Sequence, residues 1–116
     1  MITLTIPATP PSWNTFYAGT HHWKRKKLAD LWHGLILSAL TGQSPKTGQV
    51  NITVTVNYPD RRRRDPDNIC AKLLIDGLVK AGILPDDSDT EIGSVTTRIT
   101  RDRDRPRETV VTIEAA

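Results

Sequence analysis

Val50, Ile52, Val54, Val56 and Tyr58 alternate with Asn51, Thr53, Thr55 and Asn57 without a break. A period of two held over that distance is the signature of a β-strand with one face turned to a core. Ile2, Leu4 and Ile6 repeat the pattern on a shorter scale, and Pro7, Pro10 and Pro11 end it. Segments 92–101 and 107–114 read as two further strands, with Asp102 to Pro106 as the turn between them. From Lys24 to Leu40 the period changes: Leu28, Leu31, Trp32, Leu35 and Ala39 fall on one face of an amphipathic helix whose first turns are basic. Segments 10–22 and 41–48 are expected to be loops.

A second helix is expected to start at Pro66, because proline at the first helical position loses only an N–H that would be unpaired anyway. It should run to about Ala81, with Ala71, Leu74, Ile75, Leu78 and Ala81 inward and Asn68, Lys72, Asp76 and Lys80 outward. Gly82 would cap its end in the left-handed conformation. The order is β-α-β-α-β-β, an α/β chain of the α+β type: a single small mixed sheet of about four strands with two helices packed on it. At 116 residues, positions 1–116 make one domain with one modest core. The 37% apolar and 25% charged residues suit a soluble globular protein. Cys70 is the single cysteine, so no internal disulfide or cysteine-based zinc site is available. No basic start with an apolar run, and no long apolar stretch, marks a signal peptide or membrane span, and a cytoplasmic location is expected.

The formal net charge of +3 is mild, but its distribution is not. Eight of the thirteen acids lie between Asp60 and Glu91. Basic clusters surround them: Lys24, Arg25, Lys26 and Lys27 before, Arg61, Arg62, Arg63 and Arg64 within, and Arg98 to Arg107 after. Carboxylates repel phosphate, so an acidic centre among arginines makes a poor nucleic-acid surface unless a divalent cation lies between. Mg²⁺ is commonly held by one or two carboxylates plus phosphate oxygens and water, and a nuclease site needs little more. Asp65 and Asp67 can aim at one ion from the mouth of the helix, with Asp86 or Asp87 returning on the far side. Lys72, one turn on, is a candidate to contact the scissile phosphate or the leaving oxygen, and Arg61 to Arg64 to grip the backbone. Phe16 and Tyr17, beside Asn14, are candidates to stack on unpaired bases.

Plainer readings stand beside these. Asp65 before Pro66 is also what a helix N-cap looks like, and Asp67 would favour the helix dipole with no chemistry. Asp86-Asp87-Ser88-Asp89 suits a solvated turn, and Lys72 with Asp76 an ordinary i, i+4 pair.

The wider pattern is more specific. Tyr58-Pro59-Asp60, the arginine run, Asp65-Pro66-Asp67-Asn68, then Asp76-Gly77-Leu78-Val79-Lys80-Ala81-Gly82 and Asp86-Asp87, resembles the signature of the RusA family of Holliday-junction resolvases. Pro10-Pro11-Ser12-Trp13-Asn14 resembles the family's opening motif, so the likeness spans residues 10–87. It implies a homodimeric, Mg²⁺-dependent endodeoxyribonuclease, with Mn²⁺ able to substitute, that nicks symmetric strands of a four-way DNA junction in recombination and repair. It assigns Asp65, Asp67 and Asp87 to the metal and the catalysis, with Asp86 in support. The expected DNA-binding set, read from the residues themselves, is Asn14, Tyr17, Lys24 to Lys27 and Arg61 to Arg64. In the family a lysine lies four residues after the second aspartate. That position is Ala71 here, and Lys72 lies one residue and about 100° further round a helix. Either the helix begins one residue later or bulges, or Lys72 is not the counterpart of the family's lysine. The residues alone leave open a non-catalytic dimeric DNA-binding module and a metal-dependent nuclease with a different nucleic-acid substrate.

Overall fold

The computed structural model describes residues 1–17, 22–43, 45 and 48–116. Positions 18–21, with His21, and positions 44, 46 and 47 of the 41–48 loop lie outside the described residues, as does the side chain of Tyr17. Four strands, β1 (Ile2–Ile6), β2 (Val50–Asn57), β3 (Ile92–Thr100) and β4 (Glu108–Ala115), form one mixed sheet in the order β1-β4-β2-β3. The helices are α1 (Trp13–Tyr17), α2 (His22–Ala39) and α3 (Ala71–Lys80), with a 3₁₀ turn at Pro66–Asn68. The α+β class and the element order are as expected, with α1 added inside the segment read as a loop. Ser12 starts that helix: its Oγ accepts the Thr15 N–H at 3.0 Å, an N-cap bond.

β2 and β3 run parallel, and a parallel pair needs a crossover, which α3 supplies. β4 lies between β1 and β2, antiparallel to both. The successive strands β3 and β4 are therefore not neighbours, and the segment joining them passes over the end of β2. Asn57 closes β2 beneath that arch. Its Nδ2 lies 3.1, 3.2 and 2.9 Å from the carbonyl oxygens of Asp102, Arg105 and Pro106. Its Oδ1 accepts from the Thr100 hydroxyl at 2.7 Å and the Asp102 N–H at 2.9 Å. Asn57 is buried, so these bonds satisfy polar groups that water would not reach.

Leu4, Ile6, Ile52, Val54, Val56, Val111 and Ile113 form the buried face of the sheet, and Trp32 and Ile36 of α2 with Leu74 and Leu78 of α3 join them in the core. Two details differ from the periodicity. Leu31 is 56% exposed, and the inward face of α2 instead runs through Trp32 and Ile36, with Leu28, Leu35 and Ala39 packed beside it. Full burial of one aliphatic or aromatic side chain stabilises by about 1.5–3 kcal/mol, so a rotation that buries Trp32 and Ile36 outweighs one that buries Leu31. In α3, Leu73 and Gly77 are buried as well. A Cβ on Gly77 would collide with Ile36 Cδ1, so glycine is what lets α2 and α3 approach here. Gly82 has φ +82°, the left-handed stop expected of it. No described helix is long and apolar enough to cross a membrane.

Candidate metal and nucleic-acid site

The helix expected from Pro66 to Ala81 is broken. Pro66–Asn68 forms a single 3₁₀ turn, Ile69 returns to extended backbone at ψ 125°, and α3 begins only at Ala71. Tertiary contacts account for the break. Ile69 makes a β-bridge with Ser12, and the Cys70 N–H donates to the Pro11 carbonyl at 3.1 Å. On the other side the Thr97 hydroxyl of β3 donates to the Pro66 carbonyl at 2.9 Å. The Pro10–Asn14 segment is thereby pinned against Asp65–Asn68, so two motifs more than 50 residues apart in sequence form one surface. With α3 starting at Ala71, no long helix lies behind Asp65 and Asp67 to present a dipole to phosphate.

Asp65, Asp67, Asn68, Trp13 and Asn14 line an open recess of about 460 Å³. Both carboxylates are exposed. Asp65 makes no side-chain capping bond, so the N-cap reading of this residue does not describe what it does. Among the described residues neither aspartate takes part in an ion pair. Two unpaired carboxylates beside two amide side chains match the donor set with which Mg²⁺ is held through one or two carboxylates, water and phosphate oxygens.

Asp87 and Lys72 lie elsewhere. Together with Asp76 and Asp89 they line a second recess of about 490 Å³, walled by Ile75, Ile92 and Val95. Trp13 belongs to the walls of both recesses and is the residue through which they adjoin. Lys72 stands 3.5 Å from Asp76, the i, i+4 pair that its spacing allowed. With α3 starting at Ala71, Lys72 lies in its first turn and lines the recess that holds Asp87, not the one that holds Asp65. Asp86 lines neither recess; its Oδ1 accepts the Asp87 N–H at 2.8 Å. Among the described residues no group of three or more His, Cys, Asp or Glu side chains is placed to hold a metal ion. The structure thus brings Asp65 and Asp67 together and sets Asp87 in the adjoining recess.

The arginine run is divided in the same way. Arg64 puts Nη1 and Nη2 at 2.7 and 3.1 Å from the two oxygens of Asp60 and stacks 3.8 Å over the Tyr58 ring. Arg107, from the opposite end of the sheet's chain path, lies 3.4 Å from Asp60 and 5.4 Å over the same ring. Hydrogen bonds from Arg64 and from the Arg62 N–H hold the Asp60 carboxyl down at about 2. Burial pushes the Tyr58 hydroxyl up, keeping it protonated. Arg61, Arg62 and Arg63 are exposed and have no ion-pair partner among the described residues.

The other expected positions are placed as follows. Lys24 and Lys27 lie 5.7 and 4.9 Å over the Trp23 ring, and Lys26 pairs with Asp30 at 3.4 Å. None of these, nor Arg25, lines the recesses described here. Phe16 is buried in the core, which removes it as a base-stacking group. Cys70 is fully buried and its thiol is pushed up by burial, as suits a packed cysteine. Trp13 and Arg107 were not singled out in the sequence. A tryptophan inside Pro-Pro-Ser-x-Asn was the available signal for the first, whereas nothing local marks Arg107 among its neighbouring arginines. No protein-family model matches this chain, and no curated protein matches it.

Proposed function

We propose that this protein is a metal-dependent endodeoxyribonuclease that resolves four-way DNA junctions, the reading implied by its resemblance to the RusA family. The observation that carries it is the docking of Pro11 and Ser12 on Ile69 and Cys70, which leaves Asp65 and Asp67 unpaired and exposed between Asn14 and Asn68. A fold seeking only stability gains nothing from two bare carboxylates beside an arginine run.

In this reading Asp65 and Asp67 hold Mg²⁺, and bound metal supplies an activated water together with charge neutralisation at the scissile phosphate. Asn14 and Asn68, as neutral amides, orient phosphate or water at the rim without adding repulsion. Lys72 and Asp87, across Trp13, take the far side of the strand, with Asp86 fixing the Asp87 backbone. Arg61, Arg62 and Arg63 hold the backbone nearby. A two-fold dimer would match the symmetry of a four-way junction and deliver paired nicks.

The test is to incubate the purified protein with labelled four-way junction, linear duplex and single strand, each with Mg²⁺ or EDTA. Symmetric nicks in the junction only, lost in EDTA, are expected. The lack of a three-carboxylate group among the described residues favours one rival, a non-catalytic DNA-binding module. Tight junction binding without a cut in any Mg²⁺ lane would establish that rival instead.

A further inference from the structure

Of the basic segments in the sequence, the one after β3 reaches the site through its last member, Arg107. Arg107 lines an open recess of about 480 Å³ whose other walls include Arg62, Arg63, Arg64, Ser12 and Asp65. Four arginines and one aspartate therefore line a space bounded partly by residues that carry hydroxyl groups.

The four are not equivalent. Arg64 is consumed: its side chain is only 18% exposed, both terminal nitrogens are on Asp60, and its plane lies against Tyr58. Arg107 is held but not consumed. It reaches Asp60 with one nitrogen at 3.4 Å and is 51% exposed, so most of its five N–H donors are still available. Asn57 sets its place, because the bonds from Nδ2 to Asp102, Arg105 and Pro106 hold the arch from which Arg107 emerges. Arg62 and Arg63 face the same space with no ion-pair partner. A guanidinium presented with its approach angle preset and its donors open suits a tetrahedral oxyanion better than a freely moving one does.

The position indicates which oxyanion. Asp65 and Asn68 line both this recess and the carboxylate recess, so the two share a wall. A chain of phosphates with one member at Asp65 and Asp67 continues directly into the arginines. We propose that Arg107, with Arg62 and Arg63, seats a backbone phosphodiester flanking the one at the carboxylates, an inference that rests on DNA being the ligand.

Binding of a fluorescein-labelled four-way junction, duplex and single strand in EDTA, across a salt series, tests this. Arg107→Gln is expected to weaken all three about five- to tenfold and to lower the slope of log K against log salt by about one. Arg107→Lys should keep the slope. Arg103→Ala, in the same connection but outside the recess, should change neither. Arg62→Ala with Arg63→Ala, which disturbs no ion pair, should lower the slope by about two. Wild-type slope and affinity in Arg107→Gln, or an equal loss in Arg103→Ala, would overturn the inference. If Mg²⁺-dependent cutting by the wild type and its loss in Asp65→Asn persist in that case, the nuclease reading stands alone. A wild type that binds none of the three DNAs would remove both.

Discussion

Asp60 and Asp65 are five residues apart in one extended segment, both beside arginines. Asp60 accepts two hydrogen bonds from the Arg64 guanidinium and one from the Arg62 N–H, with Arg107 at 3.4 Å. Asp65, like Asp67, has no ion-pair partner among the described residues. Composition treats these carboxylates alike, and their surroundings do not. A carboxylate ringed by guanidinium already has its charge compensated, whereas the charge of an exposed carboxylate without an ion pair is compensated only by solvent. Both terminal nitrogens of Arg64 are engaged by Asp60, and Arg64 makes no ion pair with Asp65.

The contrast breaks most clearly under substitution of the unpaired pair. On the proposed nuclease reading, Asp65→Asn or Asp67→Asn should lower Mg²⁺-dependent cleavage about a hundredfold or more, because each removes a carboxylate proposed to hold the metal. Stability should stay within about 0.5 kcal/mol of the parent, as for other exposed positions without partners. Cleavage assays paired with thermal melts check this, and a large drop in Tm would mean that these residues serve the fold after all. Junction binding in EDTA should persist or tighten as repulsion is removed.

Asn57 comes next. Replacing it with alanine strands buried carbonyl groups under the arch, at a cost on the order of 3 kcal/mol. Urea denaturation measures the loss. If Asn57 also positions Arg107, junction affinity should fall in conditions where the variant remains folded. Gly77→Val should destabilise by about 1–3 kcal/mol through overpacking against Ile36, with cleavage per folded molecule unchanged. That outcome separates loss of core from loss of site, and altered specific activity would show the two to be coupled.

The smallest effect belongs to the paired carboxylate. The folded state holds the Asp60 carboxyl at about 2, below its ordinary 3.8, so the charged form is favoured by folding. Its contribution is fully present above pH 3.8 and is lost as pH falls toward 2. Asp60→Asn should therefore melt slightly below the wild type near neutrality, with the gap closing across that window. Melting curves at a series of pH values check it; a gap that persisted at the acid end would show that shape, not charge, is what Asp60 provides. The effect is small because the carboxylate is partly exposed and solvent screens the pair.

These expectations depend on different sources of information. Two of the four strands were legible from alternation, since Ile2–Ile6 and Val50–Asn57 bury alternate residues along most of their length. The stop at Gly82 was legible for a local reason too, because a left-handed residue costs glycine little. The two recess-lining aspartates were legible as a spacing within one turn. The break at Ile69 and Cys70 was not, for proline at the head of an apolar-periodic run predicts an uninterrupted helix. Only the backbone pairing of Ile69 with Ser12 and of Cys70 with Pro11 overrides that local preference.

What the amino-acid order determined by itself, then, is the list of elements, the single layered core and the presence of a carboxylate pair among arginines. Each follows from interactions between residues close in the chain or from a periodicity that local geometry imposes. Tertiary structure decided that Trp13 and Asn14 stand beside Asp65 and Asp67, and that Asp87 and Lys72 share a different recess. It also decided that Arg64 is spent on Asp60 while Arg107 joins Arg62 and Arg63. Apart from the i, i+4 pair of Arg64 with Asp60, those groupings connect positions distant in the chain, and their geometry is set by strand order and by an arch over β2. Neither has a signature in any short stretch of sequence.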